Sequence, residues 1–336
     1  MNDIIINKAI LHIIDKSVFD TPILSDREFS VYDEIDEFLT AHITKVLADS
    51  STKRTEFIED GNEKKAMFLA YLEGNLDFID LSMKLSQQMH HWVCQSIDAP
   101  SGDFVFMDFF HNNVKYVGGI KLDYKDSYIH KIESNETTRV CNITKQKAVM
   151  PNITQTISEA FFVNCTTLEI LVKEKKYKFE PEMENYISSM VLQAKESLSD
   201  KQMLKIVTDV SKKLIKENYG DPHKLGEAKE IITKGIYDDN KVDIEDISDK
   251  LFHGNDSVKK NFVTKVRESG IREEVVEVRP ESLKKSNRTQ RIVTSDGIEI
   301  VVPVSHMSRK DKIEFITNFD GSISIILKNI EKIENK

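Results

Sequence analysis

Apolar and polar positions along this chain change their period several times, and each change marks an element. Residues 3–14 are mostly apolar and β-branched, the pattern of a buried strand. Val31, Ile35, Phe38, His42 and Val46 then recur at helical spacing, which predicts an amphipathic helix over 31–49. A second helix is predicted over 74–97, with Leu76, Ile79, Met83, Ser86, Met89 and Val93 on one stripe and Pro100-Ser101-Gly102 stopping it. Stretches 103–110, 114–121 and 128–133 alternate or run apolar and predict strands, with His111-Asn112-Asn113 as a tight connection. Further strand-like pieces lie at 138–143 and 168–173. Helix, helix and then a run of strands predicts an α+β domain with an antiparallel-rich sheet, ending near residue 178.

The second half, 179–336, reads as a helical domain closed by two β-hairpins. Ser199 or Asp200 can start a helix that carries Met203, Ile206, Val210 and Leu214 inward, and Gly220 closes it. Asp221-Pro222 supplies a cap and a first-turn proline for the next, whose inner face is Leu225, Ala228 and Ile232. Asp243 opens a short helix through Leu251, and Asp256 or Ser257 opens another through Ser269 with Gly270 just past its end. The tail holds two strand–turn–strand units, around Asp296-Gly297 and Asp320-Gly321. Asp-Gly favours type I′ hairpins because both residues tolerate positive φ.

Composition adds limits. At 336 residues the chain has room for two or three domains. No basic region followed by an apolar run opens it, which argues against a secretory signal, and no window is apolar enough for a bilayer span. Three scattered cysteines fit reduced cytosolic thiols and exclude a cage of CxxC pairs. The net charge of −9 is unevenly spread. Residues 1–110 hold 9 Lys/Arg against 20 Asp/Glu, whereas 279–312 hold 8 against 4. Only local basic surfaces beyond the acidic N-terminal region are suited to a polyanion.

Four constellations could carry chemistry. In 243–269, two short helices flank Phe252-His-Gly-Asn-Asp, with Ile244, Ile247 and Leu251 inward on the first. On the second, Lys259, Lys260, Asn261, Thr264 and Lys265 surround an inward Val258, Phe262 and Val266. This is the outline of a helix-turn-helix, with the hairpin at 289–302 as a wing; two helices joined by a polar turn are also a common structural unit. The basic segment Arg279, Lys284, Lys285, Arg288, Arg291, Arg309, Lys310 and Lys312 could neutralise phosphates, or pair with Glu277, Glu281 and Asp311. Asp108 with Asp123-Tyr124-Lys125 matches the short acidic-plus-lysine pattern of metal-dependent nucleases. His90-His91 are adjacent on a helix and cannot chelate as an i, i+4 pair would, and His12, His42 and His111 are isolated and read as structural. No phosphate loop, dinucleotide fingerprint or nucleophile elbow occurs.

Several segments in order resemble the bacterial nucleoid-associated protein family of the YejK/NdpA type. They are Lys8-Ala-Ile-Leu-His-Ile-Ile, Gly102-Asp-Phe-Val-Phe, Gly119-Ile-Lys-Leu-Asp-Tyr-Lys125, Glu159-Ala-Phe-Phe-Val-Asn164, Asp296-Gly-Ile-Glu-Ile, Asp311-Lys-Ile-Glu-Phe-Ile and Asp320-Gly-Ser-Ile-Ser-Ile. The resemblance implies a cytoplasmic protein associated with the nucleoid that binds double-stranded DNA or chromosome-processing proteins acting on it. It implies no catalysis and no cofactor. The expected DNA contacts are Lys259, Lys260, Asn261, Lys265, Lys284, Lys285, Arg288, Arg291, Arg309 and Lys310. The domain 1–178, acidic at its N-terminal end, is expected to serve dimerisation or protein contacts, with the long-helix region pointing to a homodimer. An adaptor held on the nucleoid through a protein partner and a divalent-metal nuclease stand as the two alternatives.

Overall fold

A computed structural model describes residues 4–18, 20–59, 61–134, 138–219, 222–239, 241–278, 289–303, 306, 309, 311–319, 322–330 and 332. The chain divides into two compact units, Met1–Ser197 and Leu198–Lys336.

In the first unit the elements are β1 (Ile4–Ile14), α1 (Asp33–Leu47), β2 (Lys53–Thr55), α2 (Glu63–Leu72), α3 (Phe78–Gln95), β3 (Gly102–His111) and β4 (Val114–Asp123). They continue with β5 (Lys125–Ser134), β6 (Arg139–Val149), β7 (Glu159–Asn164), β8 (Ile170–Lys173), β9 (Tyr177–Phe179), β10 (Glu182–Glu184) and a π-helical turn, Ile187–Val191. Six strands form one antiparallel sheet in the order β1-β3-β4-β7-β8-β2. Phe104, Phe106, Val117 and Phe161 face Phe68, Leu81, Leu85 and Met89 from α2 and α3. From the opposite face Val105, Met107, Phe109, Ile120 and Phe162 meet Leu39, Ile43 and Val46 of α1. Helices cover both faces, which is why the central strands read as unbroken apolar runs.

The buried stripe of α3 is Leu81, Leu85, Met89 and Val93, with Ser82 and Ser86 small enough to let the helix approach the sheet. That differs from the expected stripe, which placed Leu76 and Ile79 in it; both are only partly buried at its edge. Asn62 caps α2 by accepting from the Lys64 and Lys65 amides. Tyr186, Ile187, Val191 and Leu192 are buried in the first core, so 179–197 packs there, beyond the boundary expected near residue 178.

The second unit runs α4 (Asp200–Asn218), α5 (Pro222–Asp239), β11 (Lys241–Asp243), α6 (Ile244–Leu251), α7 (Asp256–Glu268) and β12 (Val275–Glu277). The hairpins β13 (Thr289–Val293) with β14 (Glu299–Pro303) and β15 (Ile313–Thr317) with β16 (Ile323–Leu327) follow. Ser199 starts α4 with a reciprocal capping box to Gln202. Val207, Leu214, Ile232, Ile247, Phe252, Phe262 and Val266 share one core, and the two hairpins close a small one around Val302 and Ile313. The whole is an α+β protein, helical and hairpin-closed in its second half.

The type I′ turn lies elsewhere than expected. Gly297 alone takes positive φ (83°), with its amide donating to the Thr294 carbonyl and Thr294 donating to Ile298. That is a three-residue loop ending in a left-handed glycine, which needs only one permissive residue. Asn112 and Asn113 both take positive φ (49° and 65°) and join β3 to β4 in the two-residue connection. The Asp320-Gly321 turn lies outside the described residues.

Candidate nucleic-acid interface

α6 and α7 are built from local signals. The Asp243 side chain accepts from the Asp246 amide at 2.9 Å and starts α6. Phe252 ends it, Gly254 turns the chain at a φ of 82°, and the Asn255 side chain accepts from the Val258 amide to start α7. At the far end Gly270 takes φ 106°, and its amide and that of Ile271 donate back to Arg267 and Val266. This Schellman closure needs a residue that tolerates a left-handed backbone, hence the glycine. The antiparallel pair β11 and β12 brackets the two helices.

With Val258, Phe262 and Val266 buried, α7 presents Ser257, Lys260, Asn261 and Thr264 outward. The other two nominated positions on this helix are engaged within the chain. Lys259 Nζ lies 2.8 Å from Asp249 Oδ1, tying α7 to α6, and that hydrogen bond holds its ammonium above its ordinary range. Lys265 is half-buried, 3.8 Å from Glu217 of α4. On the hairpins, Arg291 pairs with Glu299 and Arg309 with Asp311, the latter through two hydrogen bonds of 3.2 and 2.7 Å. Lys284, Lys285, Arg288 and Lys310 lie outside the described residues, as do Arg279 and Glu281. Of the ten expected contacts, Lys260 and Asn261 thus face solvent with no acidic partner among the described residues, and four share their charge with an acid of this chain.

The sequence reading missed a basic surface on α4. Lys201, Lys205, Lys212 and Lys216 are all exposed. At 3.6 residues per turn they fall within an arc of about 60° and along roughly 22 Å of helix. Lys229 of α5 is held below its ordinary range by burial and by the Lys212 charge beside it. The signal was present in the sequence as lysines at 201, 205, 212 and 216, opposite the apolar stripe.

The nuclease pattern does not assemble. Asp108 sits opposite Val117 and Asp123 opposite Gly102, so six residues of β4 separate the two carboxylates, about 20 Å at strand rise. Antiparallel pairing from the Asn112-Asn113 turn sends them to opposite ends of the sheet. Asp108 is instead buried, accepting from Asn7 at 2.9 Å and from Tyr71, with Lys115 at 2.8 Å. Lys125 lies on β5, outside the six-stranded sheet. Among the described residues no group of three His, Cys, Asp or Glu is placed to hold a metal ion. His12 and His42 are fully buried, as expected of structural histidines.

A family model described as nucleoid-associated protein YejK matches residues 10–334. No curated protein matches the chain. Among the described residues no helix is long and apolar enough to cross a membrane.

Proposed function

The chain belongs to the nucleoid-associated protein YejK family, and from that premise we propose that it binds double-stranded DNA directly, through its C-terminal unit and without catalysis. The observation that carries this reading is the lysine stripe Lys201, Lys205, Lys212 and Lys216 on α4, in the same unit as the outward Lys260 and Asn261 of α7. Lysines at this spacing suit phosphate oxygens, and asparagine suits a base edge. The order α5, β11, α6, α7, β12, followed by hairpins, is compatible with a winged helix-turn-helix in which α7 enters the major groove. Lys284, Lys285, Arg288 and Lys310, near the hairpin strands in sequence, are proposed as further phosphate contacts. Exposed ion pairs such as Arg309–Asp311 contribute little to stability, so a phosphate can compete for Arg291 and Arg309 as well.

The experiment is fluorescence anisotropy with a labelled duplex of about two helical turns, titrated at several salt concentrations. A steep linear fall of log affinity with log salt is expected, its slope counting the phosphates neutralised. Flat, weak binding at low salt would end the direct reading. The acidic balance of residues 1–110 supports the second reading, an adaptor held on the nucleoid by a chromosome-processing protein. That version requires a nuclease-resistant pull-down.

A further inference from the structure

β5 and β6 pair only with each other, over almost their full lengths, and no residue of either belongs to a buried core among the described residues. Every residue of both strands is exposed except Ser127 and Val149, which are half-buried. The ribbon leaves the sheet directly, with Tyr124 as the only residue between β4 and β5. A lone two-stranded ribbon is marginal in water at best, and long exposed apolar strands invite association. The ribbon also exposes large apolar side chains. Register places Tyr128, His130 and Ile132 on the same face as Lys145, Ile143 and Cys141. Tyr128, Ile132 and Ile143 are 69%, 57% and 80% exposed. Ile129 and Val140 are exposed on the other face.

We propose that this ribbon is an arm exchanged between two copies of the chain, each arm lying against the N-terminal unit of its partner. Charge selects this occupant. Residues 125–149 hold 5 Lys/Arg against 3 Asp/Glu, while residues 1–110 of the same unit hold 9 against 20. A basic, apolar arm and an acidic body are complementary across a twofold axis. Area agrees. A ten-residue ribbon face is about 33 Å by 10 Å, or about 330 Å². In a reciprocal exchange each copy buries its own arm face and the strip receiving its partner's, about 660 Å² in outline, near the roughly 800 Å² per partner of a stable complex. One-way capture of the arm by another protein would bury half of that. DNA fits the ribbon less well, because the exposed Ile129, Ile132 and Ile143 would meet phosphates.

The test is sedimentation equilibrium of the full chain, its Ile132→Asp/Ile143→Asp variant, and a chain with 126–148 replaced by a short turn. The wild type is expected to be dimeric, with the double variant weakening the dimer roughly 100-fold or more, as loss of hot-spot side chains does. Thermal unfolding monitored by circular dichroism is expected to stay near that of the wild type at protein concentrations where both are monomeric. The shortened chain is expected to be monomeric alone and to pair with wild type far more weakly than wild type pairs with itself, because only one of the two arm contacts survives. A monomeric wild type, or a dimer indifferent to both changes, overturns the proposal. So does a variant that stays dimeric but loses duplex affinity, which would make the arm a DNA contact. Duplex binding measured alongside keeps this result separate from DNA contact by the C-terminal unit.

Discussion

Lys121 Nζ lies 2.6 Å from Glu159 Oε2 across the β4–β7 pair, and neither side chain reaches solvent. Asp123 Oδ1 is also 2.6 Å from the same ammonium. Burial opposes the Lys121 charge, but the two carboxylates outweigh it and hold its proton more tightly than usual. Removing one partner strands a buried charge, which typically costs about 3–5 kcal/mol. Lys121→Met is therefore expected to lower the urea midpoint strongly. Lys121→Met with Glu159→Leu is expected to lose less than the sum of the single variants. Additive losses in a double-mutant cycle would show that the pair is not coupled.

His12 connects β1 to α3: its Nε2 is 2.9 Å from Ser82 Oγ, and its Nδ1 accepts from the Ser25 amide at 3.1 Å. Burial lowers its pKa to about 4. The unfolded histidine, near 6.5, binds more protons than the folded one between these values, so stability falls as pH drops through that window. The full loss below pH 4 is about 3 kcal/mol. Denaturation midpoints from pH 7.5 to 4.5 should decline less steeply in His12→Gln, once that variant's own loss at pH 7.5 is subtracted. An unchanged slope would assign the decline to other groups.

Gly119 marks a close backbone approach between strands. A Cβ there would stand 2.5 Å from the Val105 carbonyl oxygen and 2.7 Å from the Phe104 ring. The strand cannot yield without opening the β3–β4 ladder, so Gly119→Ala is expected to destabilise by about 1–3 kcal/mol or more. Gly74→Ala, where a Cβ meets nothing within 4 Å, carries only the strain of its positive φ of 78° and is expected to be milder. Calorimetry of both variants orders them.

What was legible in the sequence was local. Ser199 and Gln202, three residues apart ahead of an apolar stripe, announce the start of α4, and Gly270 announces the end of α7. The long helices and central strands follow from period and run length. What failed depends on contacts between distant residues. Asp108 and Asp123 look adjacent in a motif, but antiparallel register carries them apart. Lys259 looks available on a helix face until Asp249, ten residues earlier, arrives across the turn. α2 and β7 were not read as elements, since an unbroken apolar run such as Ala160–Val163 carries no period. The ribbon's strands were legible, but their separation from the sheet was not, because pairing partners are not written in either strand.

Lys259 and the α4 lysines make opposite predictions for DNA binding, and the difference isolates the proposed surface. Each lysine that neutralises a phosphate adds about 0.9 to the salt slope, so Lys205→Gln/Lys212→Gln/Lys216→Gln is expected to flatten it by roughly 3 units. Lys259→Gln removes a charge that Asp249 already engages, and in doing so frees that carboxylate. Its slope is expected to stay at the wild-type value, with a modest loss of affinity from the released acid. Both proteins keep the core around Phe262 and Val266, since neither set of side chains is part of it. A triple variant with the wild-type slope would place the contact elsewhere. A Lys259 variant that flattens the slope by about 0.9 would mean that phosphate displaces Asp249, and that α7 also carries a backbone contact.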